Sequence, residues 1–226
     1  MFRIVLRLTA DSLLVALLLF AAAGTIAWPR AWVLLAAMFI VRVLGAVAVY
    51  RVNASLMLER ARLPIHQAQR RADRVLLLGV LATGFLGLPL IAGLDVFHWH
   101  LLPAPMPAAA ALGLLFFVLG WSLKSLALRA NAFAVSVVRL QTERAHVVVD
   151  SGPYALVRHP FYAADPLILV GLGLWLQSWL AVLCAALPLA LMVQRLQLEE
   201  RFLREALPGY VAYMERVRFR LIPRIW

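Results

Sequence analysis

Residues 163–194 read AADPLILVGLGLWLQSWLAVLCAALPLALMVQ, an apolar run that is interrupted once, at Gln177-Ser178-Trp179. A single membrane-spanning helix needs about 20 apolar residues, so this run is long enough for two short or tilted passes. The polar interruption predicts a helical hairpin whose two ends return to the same side of the membrane. Residues that flank the run, although far apart in the sequence, are therefore predicted to lie close together.

The remainder of the chain is apolar to a similar degree. Of its 226 residues 64% are hydrophobic, and the mean hydropathy is +0.88, which leaves more apolar surface than a soluble domain of this size could bury. Further apolar runs lie at about 8–27, 31–50, 75–94 and 107–128. The sequence predicts an all-α, polytopic integral membrane protein of about six spans, including the C-terminal helical hairpin and followed by a cytoplasmic helical tail.

The chain divides by character into three regions. Residues 1–50 form an N-terminal transmembrane hairpin, and residues 51–130 form a cytoplasmic connection followed by two further spans. Residues 131–226 contain the hairpin, a cytoplasmic tail and the polar groups suited to chemistry. We therefore expect the functional site in this third region.

The net charge of +11 has a pattern typical of membrane proteins rather than of nucleic-acid binding. The Lys and Arg residues cluster at the ends of apolar runs. A topology with both termini in the cytoplasm places 20 of the 22 on one side, and only Arg30 and Arg42 lie elsewhere. We expect an integral protein of a bacterial inner membrane, with cytoplasmic N- and C-termini, contacts with membrane lipids and no nucleic-acid partner.

Two other features favour structural interpretations. Arg42 lies inside the second span, and a hairpin that turns at Pro29 brings it to the depth of Asp11, which predicts an ion pair. Gly171-Leu172-Gly173 lacks the preceding strand and third glycine of a nucleotide-binding loop, so close helix packing explains it better.

The sequence contains no convincing metal site. His98 and His100 stand close together near an outer loop, but zinc needs three or four ligands and no further Cys or His accompanies them there. The single Cys184 lies within an apolar run and excludes an intramolecular disulfide. We therefore expect no bound metal.

The polar sequence that precedes the hairpin is the main candidate site. Gly152-Pro153-Tyr154-Ala155-Leu156-Val157-Arg158-His159-Pro160-Phe161-Tyr162 contains a proline that moves His159 out of the helical region. Arg158 and His159 should then project from a loop at the membrane edge. Because the hairpin returns the chain to this edge, the loop is predicted to meet Arg195, Glu199 and Glu200.

These residues, in this order and spacing, resemble the isoprenylcysteine carboxyl methyltransferase family of integral-membrane enzymes. The resemblance rests on the loop at 152–162, on Glu199-Glu200 with Leu203, on Leu207-Pro208-Gly209-Tyr210 with Tyr213, and on Arg220-Leu221-Ile222-Pro223. It covers about residues 130–226, and phospholipid N-methyltransferases share much of the same core. Asp165 departs from the small or apolar residue that is usual in the family.

The resemblance implies that residues 131–226 are a methyltransferase core that binds S-adenosyl-L-methionine. The implied cofactor-binding residues are Gln141, His146, Val149, Tyr154, His159, Pro160, Tyr162, Glu199 and Glu200. A carboxylate acceptor is ionised at pH 7 and needs a cation to orient it rather than a base. The candidate catalytic residues are therefore the cations Arg195 and Arg158, together with Glu199, which supplies negative charge for the methyl donor.

The predicted function is carboxyl O-methylation of an isoprenylcysteine-like, lipophilic acceptor from the bilayer. The alternative within the same enzyme class is N-methylation of a phospholipid such as phosphatidylethanolamine, in which Glu199 or Glu200 would act as base. A membrane reductase that uses NADPH and a non-enzymatic scaffold that binds anionic lipids are further alternatives. Cofactor binding separates the methyltransferases from the reductase and from the scaffold, and the chemistry of the product separates the two methyltransferases.

Overall fold

The computed structural model describes residues 1–61, 69–135, 137 and 146–226, and within these ranges it is helical, without strands. The helices that position the site are α1 (Phe2–Ala23), α2 (Pro29–Tyr50), α3 (Ala54–Arg60), α4 (Arg71–Trp99), α5 (Pro107–Ala130), α6 (Asp165–Trp175), α7 (Trp179–Ala206) and α8 (Tyr210–Arg216). Helix α4 contains π-helical turns at Leu81–Gly87 and Asp95–Trp99.

Five of these helices are long and apolar enough to cross a membrane: α1, α2, α4, α5 and α7. A shorter apolar helical segment, Pro160–Trp175, precedes α7. Leu13, Leu17 and Leu44 are each about two-thirds exposed on the outer faces of α1 and α2, at 65%, 64% and 65%. Apolar side chains exposed on this scale are suited to contact with lipid.

The predicted hairpin is confirmed. Helix α6 ends at Trp175, and the chain reverses through Gln177, whose φ of 65° places it in the left-handed region, before α7 begins at Trp179. The Ser178 side chain caps α7 by accepting a hydrogen bond from the Ala181 amide at 3.0 Å. Polar residues at 177–178 therefore reverse the chain at the position that the sequence predicts.

Glycines allow α5 and α6 to pack closely. A Cβ atom on Gly171 would lie 2.6 Å from the Gly113 carbonyl oxygen, and one on Gly120 would lie 2.6 Å from Cγ1 of Ile168. Gly173 similarly packs against Val182 of α7. The packing role predicted for Gly171 and Gly173 is confirmed, because no side chain fits at either position without a shift of its neighbours.

The ion pair predicted inside the first hairpin is also present. Arg42 Nη2 lies 2.6 Å from Asp11 Oδ2, and Arg7 contacts the other carboxylate oxygen at 3.1 Å. The Arg42 guanidinium also lies over the Trp121 ring, 4.9 Å from its centroid. Pairing of this kind lowers the cost of a charge at membrane depth.

Candidate active site

The loop before Pro160 is held in place by the C-terminal segment of the chain. His159 has non-helical backbone angles, φ −127° and ψ 61°, as the following proline predicts. Its amide donates to the Arg220 carbonyl at 2.9 Å, and the Arg158 amide donates to the Phe219 carbonyl at 2.9 Å. Residues 217–220 therefore fix the direction in which the Arg158 and His159 side chains project.

Glu200 is the centre of a buried ionic cluster beneath this loop. Its carboxylate accepts from Arg158 Nε at 2.6 Å and from Arg220 Nε at 2.7 Å, and His159 Nε2 lies 3.3 Å away. Arg158 also donates to the carbonyl oxygens of Val217 and Arg218. Glu200 is only 4% exposed, so this cluster ties the loop, α7 and the C-terminal segment together.

Glu199, the neighbouring residue, belongs to a different network. Tyr162 donates its hydroxyl hydrogen to Glu199 Oε2 at 2.7 Å and accepts from Arg195 Nη1 at 2.8 Å. Arg195 Nε in turn donates to Asp73 Oδ1 at 2.8 Å, and Gln69 donates to the other Asp73 oxygen at 2.6 Å. A continuous chain of hydrogen bonds thus runs from α4 through α7 to the start of the 160–175 segment.

The two networks border a cavity of about 420 Å³. Its lining includes these predicted site residues: His146, Val149, Tyr154, Arg158, His159, Tyr162, Arg195 and Glu199. Pro160 and Glu200 are not part of that lining. Pro160 begins the helical segment Pro160–Trp175, and Glu200 supports the loop by accepting a hydrogen bond from Arg158. Gln141, the remaining predicted residue, lies outside the described residues.

Three tyrosines form one wall of the cavity. Tyr213 donates to the Tyr154 carbonyl at 2.8 Å, and burial raises the pKa of Tyr154 to about 12. Burial also raises the pKa of Tyr210 above its ordinary value, so its hydroxyl stays protonated. Within the part of the chain that the structure describes, the buried Tyr210 hydroxyl has no hydrogen-bond partner, and it is available to a ligand.

A second part of the lining, which we call the basic wall, comes from α1, α2, α3, α5 and α6. It consists of Arg7, Asp11, Arg42, Arg60, Trp121, Lys124 and Asp165. Lys124 pairs with Asp165 at 2.5 Å and lies 4.2 Å from the Phe161 ring centroid. Asp165, the residue that departs from the family pattern, therefore neutralises a lysine of the same cavity.

Sequence reasoning did not select Asp73, Tyr210, Arg60 or Lys124 as site residues. One signal was available for Asp73, which is an acidic residue among three arginines at 70–74 and at the start of an apolar run. No local signal distinguishes Arg60 and Lys124 from other basic residues that flank a span. Their position at the cavity depends on how α3 and α5 are rotated in the folded protein.

Comparison with known proteins gives a family match for part of the chain. Residues 108–208 match the family model described as phospholipid methyltransferase. A curated relative, the cobalt-zinc-cadmium resistance protein CzcN of Cupriavidus metallidurans, is 39% identical over 72 residues. That match covers 31% of this chain and 33% of the relative, so the chain spans about a third of the curated relative.

Among the described residues, no cluster of three or more His, Cys, Asp or Glu could hold a metal ion.

The solved structure of the eukaryotic intramembrane Ras methyltransferase ICMT (isoprenylcysteine carboxyl methyltransferase) has the same fold. The match has a TM-score of 0.57 at 20% sequence identity, and it covers 94% of this chain and 73% of that chain. This match and the five apolar helices together identify the chain as an integral membrane protein. The resemblance predicted from the motifs is confirmed: the chain has the fold of ICMT, and its residues 108–208 match the phospholipid methyltransferase family.

Proposed function

We propose that the protein is a membrane methyltransferase that uses S-adenosylmethionine and acts on a lipophilic acceptor taken from the bilayer. The observation that carries the proposal is the contact of Tyr162 with Glu199 at the border of the cavity, in a chain with the ICMT fold. A carboxylate, buried hydroxyl groups and an imidazole are the donors and acceptors that suit a sulfonium ligand with amino-acid and nucleoside ends. The unpartnered Tyr210 hydroxyl adds a further donor.

Glu199 is the group that we assign to the positive charge of the cofactor. Its side chain is half-buried and lines the cavity, whereas Glu200 is neutralised by its own cluster. Tyr162 orients the Glu199 carboxylate by donating a hydrogen bond to it, and Arg195 orients the Tyr162 hydroxyl in turn. A cofactor held in this way presents its methyl group to the acceptor in a fixed orientation, which accounts for much of the acceleration in displacement reactions.

Arg158 and Arg195, the cations proposed to orient the acceptor, both have protein partners. We therefore propose that they act mainly as positioning residues, Arg158 through the His159 loop and Arg195 through Tyr162. We call the part of the lining proposed to bind the cofactor the cofactor wall. It consists of His146, Val149, Tyr154, His159, Tyr162 and Glu199. When bound there, S-adenosylmethionine would supply the methyl group, and transfer of that group from sulfur to the acceptor oxygen would give a methyl ester and S-adenosylhomocysteine.

The proposed acceptor is a carboxylate on a hydrophobic tail, of the isoprenylcysteine type. The family model that matches residues 108–208 supports a second candidate, N-methylation of a phospholipid amine. An ammonium group must lose a proton before it can react, so that candidate requires a carboxylate free to accept it. Asp11 and Asp165 of the same cavity are ion-paired with Arg42 and Lys124, so we assign that role to Glu199.

Binding and product chemistry test the proposal. We expect calorimetric titration of the purified protein in nanodiscs to show binding of S-adenosylhomocysteine and no binding of NADPH. Incubation with methyl-labelled S-adenosylmethionine and N-acetyl-S-farnesylcysteine should give a methyl ester, whose label becomes volatile in mild base. Base-stable label on phosphatidylethanolamine would support the second candidate, and failure of S-adenosylhomocysteine to bind would contradict the methyltransferase assignment.

We further propose that both termini face the cytoplasm of a bacterial cell, which follows from the distribution of basic residues. In a Cys184→Ala background, Ala212→Cys should react with a membrane-impermeant maleimide only after the inner membrane is opened. The exposed Ala104→Cys, in the loop between α4 and α5, should react in intact spheroplasts. Labelling of Ala212→Cys in intact spheroplasts would reverse the topology.

A further inference from the structure

The basic wall has more positive charge than its own carboxylates neutralise. The side chains of Arg7, Arg42, Arg60 and Lys124 face those of Asp11 and Asp165, which leaves an excess of two positive charges. Arg42 and Lys124 are 11% and 13% exposed, so water screens them poorly. A cavity surface of this kind requires a counter-charge.

Two buried hydrogen-bond donors in the basic wall have no hydrogen-bond partner among the described residues. They are Arg42 Nη1 and Trp121 Nε1. Neither a guanidinium nor an indole nitrogen can accept a hydrogen bond, so only an acceptor atom satisfies them. Because buried donors in native proteins are rarely left unpaired, these two indicate the position of a ligand that carries oxygen acceptors.

Arg60 is the member of the basic wall with no carboxylate partner in the part of the chain that the structure describes. Its Nη1 atom donates to the Ala134 carbonyl at 2.6 Å, and its guanidinium lies 4.8 Å from the Phe161 ring centroid. Burial lowers the pKa of Arg60 to about 10, so the side chain remains charged at pH 7. Phe161 precedes Tyr162 in the sequence, so its contact with the Arg60 guanidinium places this cation beside the cofactor wall.

From these contacts we propose that the basic wall is the subsite for the acceptor head group, and that it takes an anionic head, a carboxylate or a phosphate, on a membrane-embedded amphiphile. The proposal rests on the proposed function for the identity of the reaction. Ile4, Leu8 and Val49 line the same cavity and offer apolar contact to the tail. An ammonium head would add a third positive charge beside the excess already present, and it would satisfy neither unpartnered donor.

The test measures binding rather than turnover. The protein in nanodiscs is titrated with dodecyl phosphate and dodecanoate, and with dodecyltrimethylammonium and inorganic phosphate as comparison ligands, each with and without saturating S-adenosylhomocysteine. We expect the two anionic amphiphiles to bind and the ammonium amphiphile to bind at least tenfold more weakly. Arg60→Met should weaken binding of the anions roughly tenfold to a hundredfold, the effect of one charge-assisted hydrogen bond.

Two further variants keep the result interpretable. Trp121→Phe keeps a smaller aromatic ring beside Arg42 and Lys124 and removes the indole donor, so we expect a smaller loss of about threefold to tenfold. Arg51→Met, at an exposed arginine just beyond α2 and outside the cavity lining, should leave binding unchanged. Both variants should retain the wild-type thermal midpoint.

Several outcomes would overturn the proposal. These are equal binding of the ammonium and phosphate amphiphiles, wild-type affinity in both Arg60→Met and Trp121→Phe, or inorganic phosphate that binds as tightly as dodecyl phosphate. The last result would indicate a site for free anions rather than for an amphiphile. If S-adenosylhomocysteine fails to bind while the anions still bind, the proposed function fails and the anion subsite stands.

Discussion

Replacement of Asp73 with alanine is expected to lower the free energy of unfolding by about 3–5 kcal/mol, because it leaves the Arg195 guanidinium buried without its carboxylate. Asp73 is fully buried, and its two oxygens accept from Arg195 at 2.8 Å and from Gln69 at 2.6 Å. The loss also releases Arg195, which holds Tyr162. We therefore expect both stability and cofactor affinity to fall, as measured by unfolding in mixed micelles and by titration with S-adenosylhomocysteine.

Asp150→Ala is the matched control for Asp73→Ala. Asp150 pairs with Arg216 at 2.7 Å, but both side chains are more than half exposed, so loss of this pair should cost at most about 1 kcal/mol. The double variant Asp73→Leu, Arg195→Leu replaces both buried charges with apolar groups and should recover much of the stability. It should not recover cofactor affinity, because Tyr162 has lost its hydrogen-bond donor. Equal destabilisation by Asp73→Ala and Asp150→Ala would contradict a structural role for the buried pair.

Glu199→Gln is expected to weaken binding of S-adenosylmethionine about tenfold to a hundredfold, which corresponds to roughly 1.4–2.8 kcal/mol. The amide keeps the shape of the side chain and still accepts from the Tyr162 hydroxyl, so the principal change is the loss of negative charge. S-adenosylhomocysteine lacks the sulfonium charge. Its affinity should therefore fall much less, and the difference between the two ligands measures the contribution of charge.

Glu205→Gln, on an exposed position of the same helix, removes an equal charge outside the cavity and should change neither affinity. Titration of both ligands against both variants completes the test. An equal loss of affinity for the two ligands in Glu199→Gln would mean that the side chain supports the pocket without facing the sulfonium. Unchanged affinity for both would remove Glu199 from the site.

Much of the architecture follows from the sequence. The interruption at 177–178 predicts where α6 and α7 reverse, and the depth of Asp11 and Arg42 predicts their ion pair. Both predictions succeed because the bilayer fixes the length and direction of apolar helices, so position along the chain gives position across the membrane. The same argument brings Tyr162 to Glu199 and Arg158 to Glu200 across about 40 residues.

What the sequence did not determine is which side of each helix faces the cavity. Glu199 and Glu200 are adjacent and chemically alike, yet a helix turns about 100° per residue, so one lines the cavity and the other is buried in an ionic cluster. Asp73 became the partner of Arg195, and Arg60 and Lys124 joined the basic wall, through the packing of α3, α4 and α5. Rotation about a helix axis depends on side-chain packing with neighbouring helices, and only the tertiary structure contains that information.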